Sequence, residues 1–164
     1  MLRHVVSIVF LSAVCVSPLK AEDWPRFRGA DGTGVSREQG LLQSWPKGGP
    51  TLLWQTRGAG RGYGSVAIAG DQLFALGDSP AETNDDAEYL VAFTRESGTP
   101  IWKQKVSRAW NEGEPSWQGA RSTPTVDGEF LFALGSDGDL VCLELSLIHI
   151  SEPTRLRRIS YAVF

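Results

Sequence analysis

A five-residue segment occurs twice in this sequence. Residues 73–77, LFALG, recur as residues 131–135, an offset of 58 positions. Each copy follows a two-residue turn signal containing glycine, and each turn follows a short run that begins with serine. The turns are read as Gly70-Asp71 and Asp127-Gly128, and the runs as residues 65–69 and 122–126. Two short apolar runs around a tight turn are typical of a β-hairpin, so the recurrence predicts a repeat architecture.

A third block extends the similarity between the two copies. Residues 89–93 correspond to residues 139–143, now at an offset of 50. The difference lies in one connector, residues 78–88 in the first copy against residues 136–138 in the second. Loops tolerate such a change in length, whereas strands do not. The two copies therefore share three ordered strands and differ in one polar loop.

A fourth strand completes the first copy. Residues 100–106 follow a turn at residues 96–99 and include Ile101 and Trp102, which favour strands. Pro100 suits the first position of a strand, where no ladder donor is needed. The unit is therefore four short antiparallel strands over residues 65–106, which is the size of a β-propeller blade.

The turn into that fourth strand carries the most specific signal. The eleven residues that begin at Ala92 resemble the A-x-D-x-x-T-G-x-x-x-W motif of pyrroloquinoline-quinone (PQQ) repeat propellers. Ala92, Gly98 and Trp102 match this motif, and Ser97 is a conservative replacement for its threonine. The resemblance implies that Gly98 supplies a positive φ and that Trp102 fills the gap against a neighbouring blade. Thr94 replaces the aspartate of the motif, so we expect a looser turn without loss of the blade.

The region before the first repeat strengthens the resemblance. Residues 23–29, DWPRFRG, and the later glycine and Leu-Leu-x-x-Trp-Pro patterns resemble the opening of exported bacterial PQQ-like propeller proteins. Residues 52–54 would then be the outer strand that joins the last blade of a closed ring. Such a ring has about seven or eight blades of roughly 40 residues. The expected fold class is all-β, a β-propeller of which this chain holds only the first one to two four-stranded blades.

The first 21 residues read as a signal peptide. Arg3 and His4 precede an apolar run of twelve residues, 5–16, and cleavage is expected after Ala21. A run of that length is shorter than the ~20 residues of a membrane-spanning helix, so no membrane span is expected. Cys15 follows a bulky valine, which argues against a lipid anchor. We therefore expect an exported protein, periplasmic or extracellular.

The last 20 residues do not continue the repeat. Residues 145–155 are identical to the in-frame translation of a transposase sequencing-library adapter, and residues 159–164 resemble its distal end. A non-native tail over residues 145–164 is therefore predicted. The expected organisation is a signal peptide (1–21), an N-terminal segment and connector with a ring-closing strand (22–64), a first blade (65–106), a linker (107–121), a truncated second blade (122–144) and this tail.

Composition excludes several kinds of site. Residues 22–144 hold 11 Lys and Arg against 18 Asp and Glu, a net charge of −7, and neither histidine. A Ser-His-Asp triad and a histidine-ligated zinc site are thereby excluded from this region, and so is a basic surface for nucleic acid. Cys142 is its single cysteine, so no disulfide forms within it. No catalytic, cofactor-binding or metal-binding residue is predicted.

Three other segments are candidates for ligand binding. Residues 78–88 carry five acidic side chains, but they lack the spacing and central glycine of an EF-hand loop, which favours a solvated acidic loop. The glycine-rich residues 57–64 lack the Lys-Ser/Thr ending of a phosphate loop, which favours a connector. Trp110 and Trp117 either pad the junction between blades or, if exposed, contact a peptide or a sugar.

These features lead to three functional hypotheses. The first is a non-catalytic exported propeller with protein or peptide partners, similar to the propeller component of outer-membrane protein assembly. The alternative is the N-terminal fragment of a PQQ-dependent dehydrogenase, whose family members bind the quinone and calcium, often beside adjacent cysteines. The third is a sugar- or peptide-binding domain of a larger exported protein. The first hypothesis is preferred, with no enzymatic activity and no cofactor.

Overall fold

A computed structural model of the chain describes residues 21–78, 85–112 and 118–145. Within these residues it contains seven β-strands and no α-helix, which confirms the all-β prediction. Residues 1–20 of the expected signal peptide and residues 146–164 of the expected tail lie outside the described residues. The strands are β1 (Ala67–Ala69), β2 (Gln72–Asp78), β3 (Ala87–Thr94), β4 (Pro100–Arg108), β5 (Thr125–Asp127), β6 (Phe130–Leu134) and β7 (Leu140–Glu144).

The strands form two antiparallel sheets. The first has the order β1-β2-β3-β4, and the second has the order β5-β6-β7. Consecutive strands are neighbours throughout, so each sheet is a simple meander, as expected of one complete and one partial propeller blade. The strands β1 and β5 of the two sheets contact each other.

The strand registers establish which residues are equivalent in the two sheets. Ala67 pairs with Phe74 in the first sheet, and Thr125 pairs with Phe132 in the second, so the offset is 58 throughout both hairpins. The turn glycines are Gly70 and Gly128, with φ of 58° and 57°.

The equivalences correct the sequence reading by one residue in the second hairpin. Its turn is Gly128-Glu129, because Asp127 still pairs with Phe130 at the end of β5. The residue equivalent to Ser65 is accordingly Thr123 and not Ser122. The glycine fixes this alignment, because it holds the positive-φ position of the tight turn in both copies.

The expected acidic loop is shorter than predicted. Asp78 ends β2 and pairs directly with Glu88 in β3, and both side chains are fully buried. The prediction of a solvated loop was therefore wrong for these two residues. Both carboxylates have partners from other segments, which makes their burial tolerable. In the loop, Asp85 is half-buried and Asp86 is exposed. Glu82 lies outside the described residues.

A single apolar core joins the two sheets. In the first sheet, Phe74, Leu76 and Leu90 are at most 5% exposed, and Leu131 and Val141 from the second sheet join the same cluster. Burial of large side chains from both sheets in one cluster stabilises their mutual packing. Every member of this cluster lies between Ala67 and Leu145, so the N-terminal segment packs outside it.

Candidate functional site

The turn that carries the repeat motif is closed by side-chain and backbone hydrogen bonds. Thr94 Oγ1 lies 2.6 Å from Ser97 Oγ and accepts a bond from the amide of Thr99 at 3.1 Å. The amide of Gly98 donates to the Thr94 carbonyl at 2.8 Å. The hydroxyl of Thr94 thus accepts a backbone bond within the turn, as a side-chain oxygen at this position is expected to do, and β4 follows directly.

Gly98 is required for two reasons. Its φ is 67°, a region that side-chain-bearing residues rarely adopt. A Cβ at this position would also lie 2.5 Å from Cε3 of Trp54. The Trp54 indole donates from Nε1 to the Arg95 carbonyl at 3.2 Å, so it is held on the turn by one bond and by ring contact. Sequence reasoning assigned the φ of Gly98 but missed its contact with Trp54.

Ala92 and Trp102 lie opposite each other in the first sheet. Phe74, Ala92 and Trp102 are in register across β2, β3 and β4. The small side chain of Ala92 allows the rings of Phe74 and Trp102 to approach to 6.0 Å between centroids. Trp102 Nε1 is buried and has no hydrogen-bond partner among the described residues. The expected role of Trp102 against the next blade stays a prediction, although its ring packs on the core shared with the second sheet.

The N-terminal arm, residues 21–26, lies along the free edges of β1 and β5. Trp24 forms an antiparallel bridge with Ile68, with N···O distances of 2.9 and 2.8 Å. The Pro25 carbonyl accepts a bond from the amide of Val126 at 2.7 Å. We call these two free edges, Ala67–Ala69 and Thr125–Asp127, the inner edge. One short segment therefore connects both sheets through backbone hydrogen bonds.

A cluster around Asp23 fixes the beginning of the arm. Its carboxylate accepts a bond from the amide of Gly70 at 3.0 Å and an ion pair from Arg95 at 3.3 Å. Arg95 also donates to the Ala21 carbonyl at 2.8 Å. The two turns of the first sheet, at Gly70 and at Arg95, thus hold a carboxylate at a defined position.

An ion pair between the exposed Arg61 and the buried Asp78 holds the glycine-rich connector. Arg61 donates from Nε and Nη2 to the two oxygens of the Asp78 carboxylate, at 3.0 and 2.9 Å. The two residues also form a backbone bridge. The hydrogen bonds that Arg61 donates to Asp78 raise the pKa of Arg61, as does the charge of that carboxylate. Gly62 continues into a parallel bridge with Ala120, in the segment between the two sheets.

Glu88 connects the first sheet to the second. Its carboxylate accepts bonds from the amide of Ser136, at 2.9 Å, and from the Ser136 hydroxyl. A side chain on Gly135 would overlap Ser107, so the glycine permits this close approach. The loop between β6 and β7 is therefore bonded to a carboxyl group buried in the other sheet.

A cleft of about 420 Å³ opens at the junction of the two sheets. Trp110, Arg121 and Ser136 contribute to its lining. The Arg121 guanidinium lies 4.9 Å from the centroid of the Trp110 ring, within the range of a cation–π contact. Trp110 is half-buried, which supports the junction interpretation, and Trp117 lies outside the described residues.

Large apolar side chains are exposed along one stretch of the chain, residues 27–53. Trp45 is 69% exposed and Leu53 is 87% exposed. This stretch contains no strand, and Leu52 and Leu53 do not join a sheet among the described residues. The exposed members, which we call the apolar stretch, are Phe27, Val35, Leu41, Leu42, Trp45, Leu52 and Leu53.

The described residues contain few groups suited to redox or metal chemistry. Among residues 21–78, 85–112 and 118–145 there is no group of three or more His, Cys, Asp or Glu placed to hold a metal ion. Cys142 is a free, half-buried thiol. Within the same residues, no helix is long and apolar enough to cross a bilayer.

Comparison with solved structures finds similarity of fold. The chain is similar to the crystal structure of BamB from Moraxella catarrhalis, with 22% sequence identity and a TM-score of 0.39. The match covers 61% of this chain and 28% of the BamB chain. No protein-family model matches the sequence, and no curated protein matches it.

Proposed function

We propose that this chain is the opening part of an exported, non-catalytic β-propeller that works as a protein-interaction platform in outer-membrane protein assembly. The apolar stretch carries this proposal. Seven large apolar side chains between residues 27 and 53 are each more than 60% exposed. Large apolar side chains exposed together in one segment are typical of interaction sites, and tryptophan is enriched among residues that dominate binding energy.

Two further features support the proposal. The proposed role in outer-membrane protein assembly rests on the resemblance of residues 23–29 and 92–102 to exported PQQ-like propellers. The charge of −7 over residues 22–144 disfavours nucleic acid as a partner and leaves proteins as the preferred class. Export itself is proposed on the pattern of residues 1–21.

Site-specific cross-linking tests the platform. A photoreactive phenylalanine replaces Trp45 or Leu53 in the exported chain, and a matched control places it at Lys103, an exposed position on β4. Adducts with outer-membrane assembly proteins are expected from Trp45 and Leu53 and not from Lys103. Equal labelling at all three positions, or none, contradicts the proposal.

Two measurements test the remaining parts of the proposal. N-terminal sequencing of the exported protein should begin at Glu22, and an unprocessed start would contradict export. Addition of PQQ and calcium should give no quinone absorbance and no dye-coupled oxidation. A signal in that assay would support the dehydrogenase alternative and refute the non-catalytic assignment.

A further inference from the structure

The inner edge presents two equivalent backbone amide donors, one from each sheet. Ile68 and Val126 occupy equivalent positions in the two sheets, and both amides point away from their own hairpins. Ile68 donates to the Trp24 carbonyl at 2.8 Å, and Val126 donates to the next carbonyl, that of Pro25, at 2.7 Å. Two consecutive carbonyls of one extended segment therefore satisfy the repeated donors of two sheets.

This geometry is that of a strand added to a sheet edge. Unpaired edge groups bind extended peptides through main-chain hydrogen bonds, and nearby side-chain pockets add specificity. Here Trp24 also returns a bond, from its amide to the Ile68 carbonyl at 2.9 Å. The contact is therefore made largely by backbone atoms, which any extended segment possesses.

The side chains around the arm select an acidic residue. The Gly70 amide and the Arg95 guanidinium both reach the carboxylate of Asp23, which directly precedes Trp24. A charge-assisted donor pair of this kind favours a carboxylate over a neutral side chain.

We propose that the inner edge is a binding site for an extended peptide segment of a partner protein that carries an acidic residue at the position of Asp23. In this structure the chain's own N-terminal arm occupies the site. The proposal rests on the platform function above and names the class of segment that the platform recognises.

The arm is suited to exchange with such a segment. None of its residues belongs to the apolar core that joins the sheets. The ion pair between Arg95 and Asp23 is partly solvated, with side-chain exposures of 21% and 49%. Segments held by few buried contacts open locally at low free-energy cost, so the edge is released without unfolding the sheets.

Peptide binding in trans tests the site. The probe is a fluorescent peptide of residues 22–28, and the released-arm variant is Trp24→Pro, which removes the amide that donates to Ile68. We expect this variant to bind the peptide at least tenfold more tightly than the unmodified chain does. The tethered arm of the unmodified chain competes at an effective concentration of about millimolar. Trp24→Phe, which keeps the amide, is the matched control and should behave like the unmodified chain.

The acidic selectivity has its own test in the same assay. A peptide with asparagine in place of Asp23 should bind the released-arm variant about fivefold or more weakly, because it loses the charge-assisted bonds. Arg95→Ala in the released-arm variant should weaken binding of the native peptide to a similar degree. Equal binding of the two peptides overturns the proposed selectivity.

Failure of the native peptide to bind a released-arm variant with an intact β-sheet spectrum overturns the site. If that variant does not fold, amide hydrogen exchange on the unmodified chain decides. The Ile68 and Val126 amides should exchange at least tenfold faster than that of Leu90, in the middle of β3, and equal protection overturns the proposal. If the cross-links at Trp45 and Leu53 form but the peptide does not bind, only the inner-edge proposal is refuted. If neither the cross-links nor the peptide binding is observed, the platform function is refuted as well.

Discussion

Trp54 lies against Gly98, 44 positions further along the chain, with its indole nitrogen 3.2 Å from the neighbouring Arg95 carbonyl. The contact fixes the N-terminal segment on the turn between β3 and β4. It depends on the absence of a side chain at Gly98, because an added Cβ would lie 2.5 Å from the ring. The glycine of the repeat motif thus serves both the turn and the segment that precedes the first sheet.

Substitution of Gly98 by alanine should destabilise the chain more than the same change at another positive-φ glycine. Gly128 has a φ of 57°, and nothing lies within 4 Å of its added Cβ. Gly128→Ala should therefore cost about 1 kcal/mol of backbone strain. Gly98→Ala should cost roughly 1–3 kcal/mol more, because the methyl group overlaps the Trp54 ring. Urea unfolding followed by tryptophan fluorescence measures both, and equal costs would show that the Trp54 contact is unimportant.

Replacement of Trp54 by phenylalanine separates the hydrogen bond from the ring contact. The variant keeps an aromatic ring on Gly98 but leaves the Arg95 carbonyl without its donor. A loss of about 1–2 kcal/mol in unfolding free energy is expected, from the missing bond and the smaller buried area. Trp45→Phe is the control, since Trp45 is 69% exposed and should change stability by less than about 0.5 kcal/mol. A cost at Trp45 as large as that at Trp54 would contradict the docking.

The ion pair between Arg61 and Asp78 gives a third prediction. Arg61→Gln leaves a fully buried carboxylate without its bidentate partner, at a cost of roughly 1–3 kcal/mol. Adding Asp78→Asn to that variant should recover part of the loss, because the buried group is then neutral. The exposed pair of Arg37 and Asp31 provides the control, and Arg37→Gln should cost less than about 1 kcal/mol. Denaturation midpoints measure all of these, and additive losses in the double variant would refute the coupling.

The strands could be predicted from the sequence because their signals are local. Short apolar runs and the turn glycines Gly70 and Gly128 define the two hairpins within about ten residues each. The one-residue error at Asp127-Gly128 arose because acidic residues flank the glycine on both sides. Only the strand register shows that Asp127 belongs to β5.

The burial of the acidic residues could not be predicted in the same way. Asp78 and Glu88 look like loop residues beside Asp85 and Asp86 in the sequence. Their partners, Arg61 and Ser136, lie 17 and 48 positions away, and no local pattern connects them. Burial of a carboxylate depends on such distant donors, which become visible only when the two sheets are packed together.

The inner-edge contact was also outside the reach of sequence reasoning. The DWP pattern indicated a family resemblance, but it did not show that Trp24 and Pro25 bond to β1 and β5. Main-chain hydrogen bonds leave little trace in residue identity. The alignment of residues 65–69 with 122–126 placed Val126 opposite Ala69, so neither its equivalence to Ile68 nor the direction of the two amides was predicted.

Tyr89 should make the stability of the chain depend on alkaline pH. Burial raises the pKa of Tyr89 above its ordinary value of 10.0, and the hydrogen bond to Asp85 raises it further. The hydroxyl donates to that carboxylate at 2.8 Å, and Lys105 binds the same oxygen at 3.1 Å. The folded state therefore holds the phenol proton more tightly than the unfolded state does.

The sign of this effect follows from linkage. The stabilisation by Tyr89 is fully present below the unfolded pKa of about 10 and is lost as the pH rises through the higher folded pKa. Urea midpoints measured between pH 8 and 11 should fall at the alkaline end, and Tyr89→Phe should remove part of that slope. Tyr63→Phe is the matched control, because its ring is 64% exposed, and the slope should remain. An unchanged alkaline slope in Tyr89→Phe would show that the Tyr89 hydroxyl does not couple folding to pH.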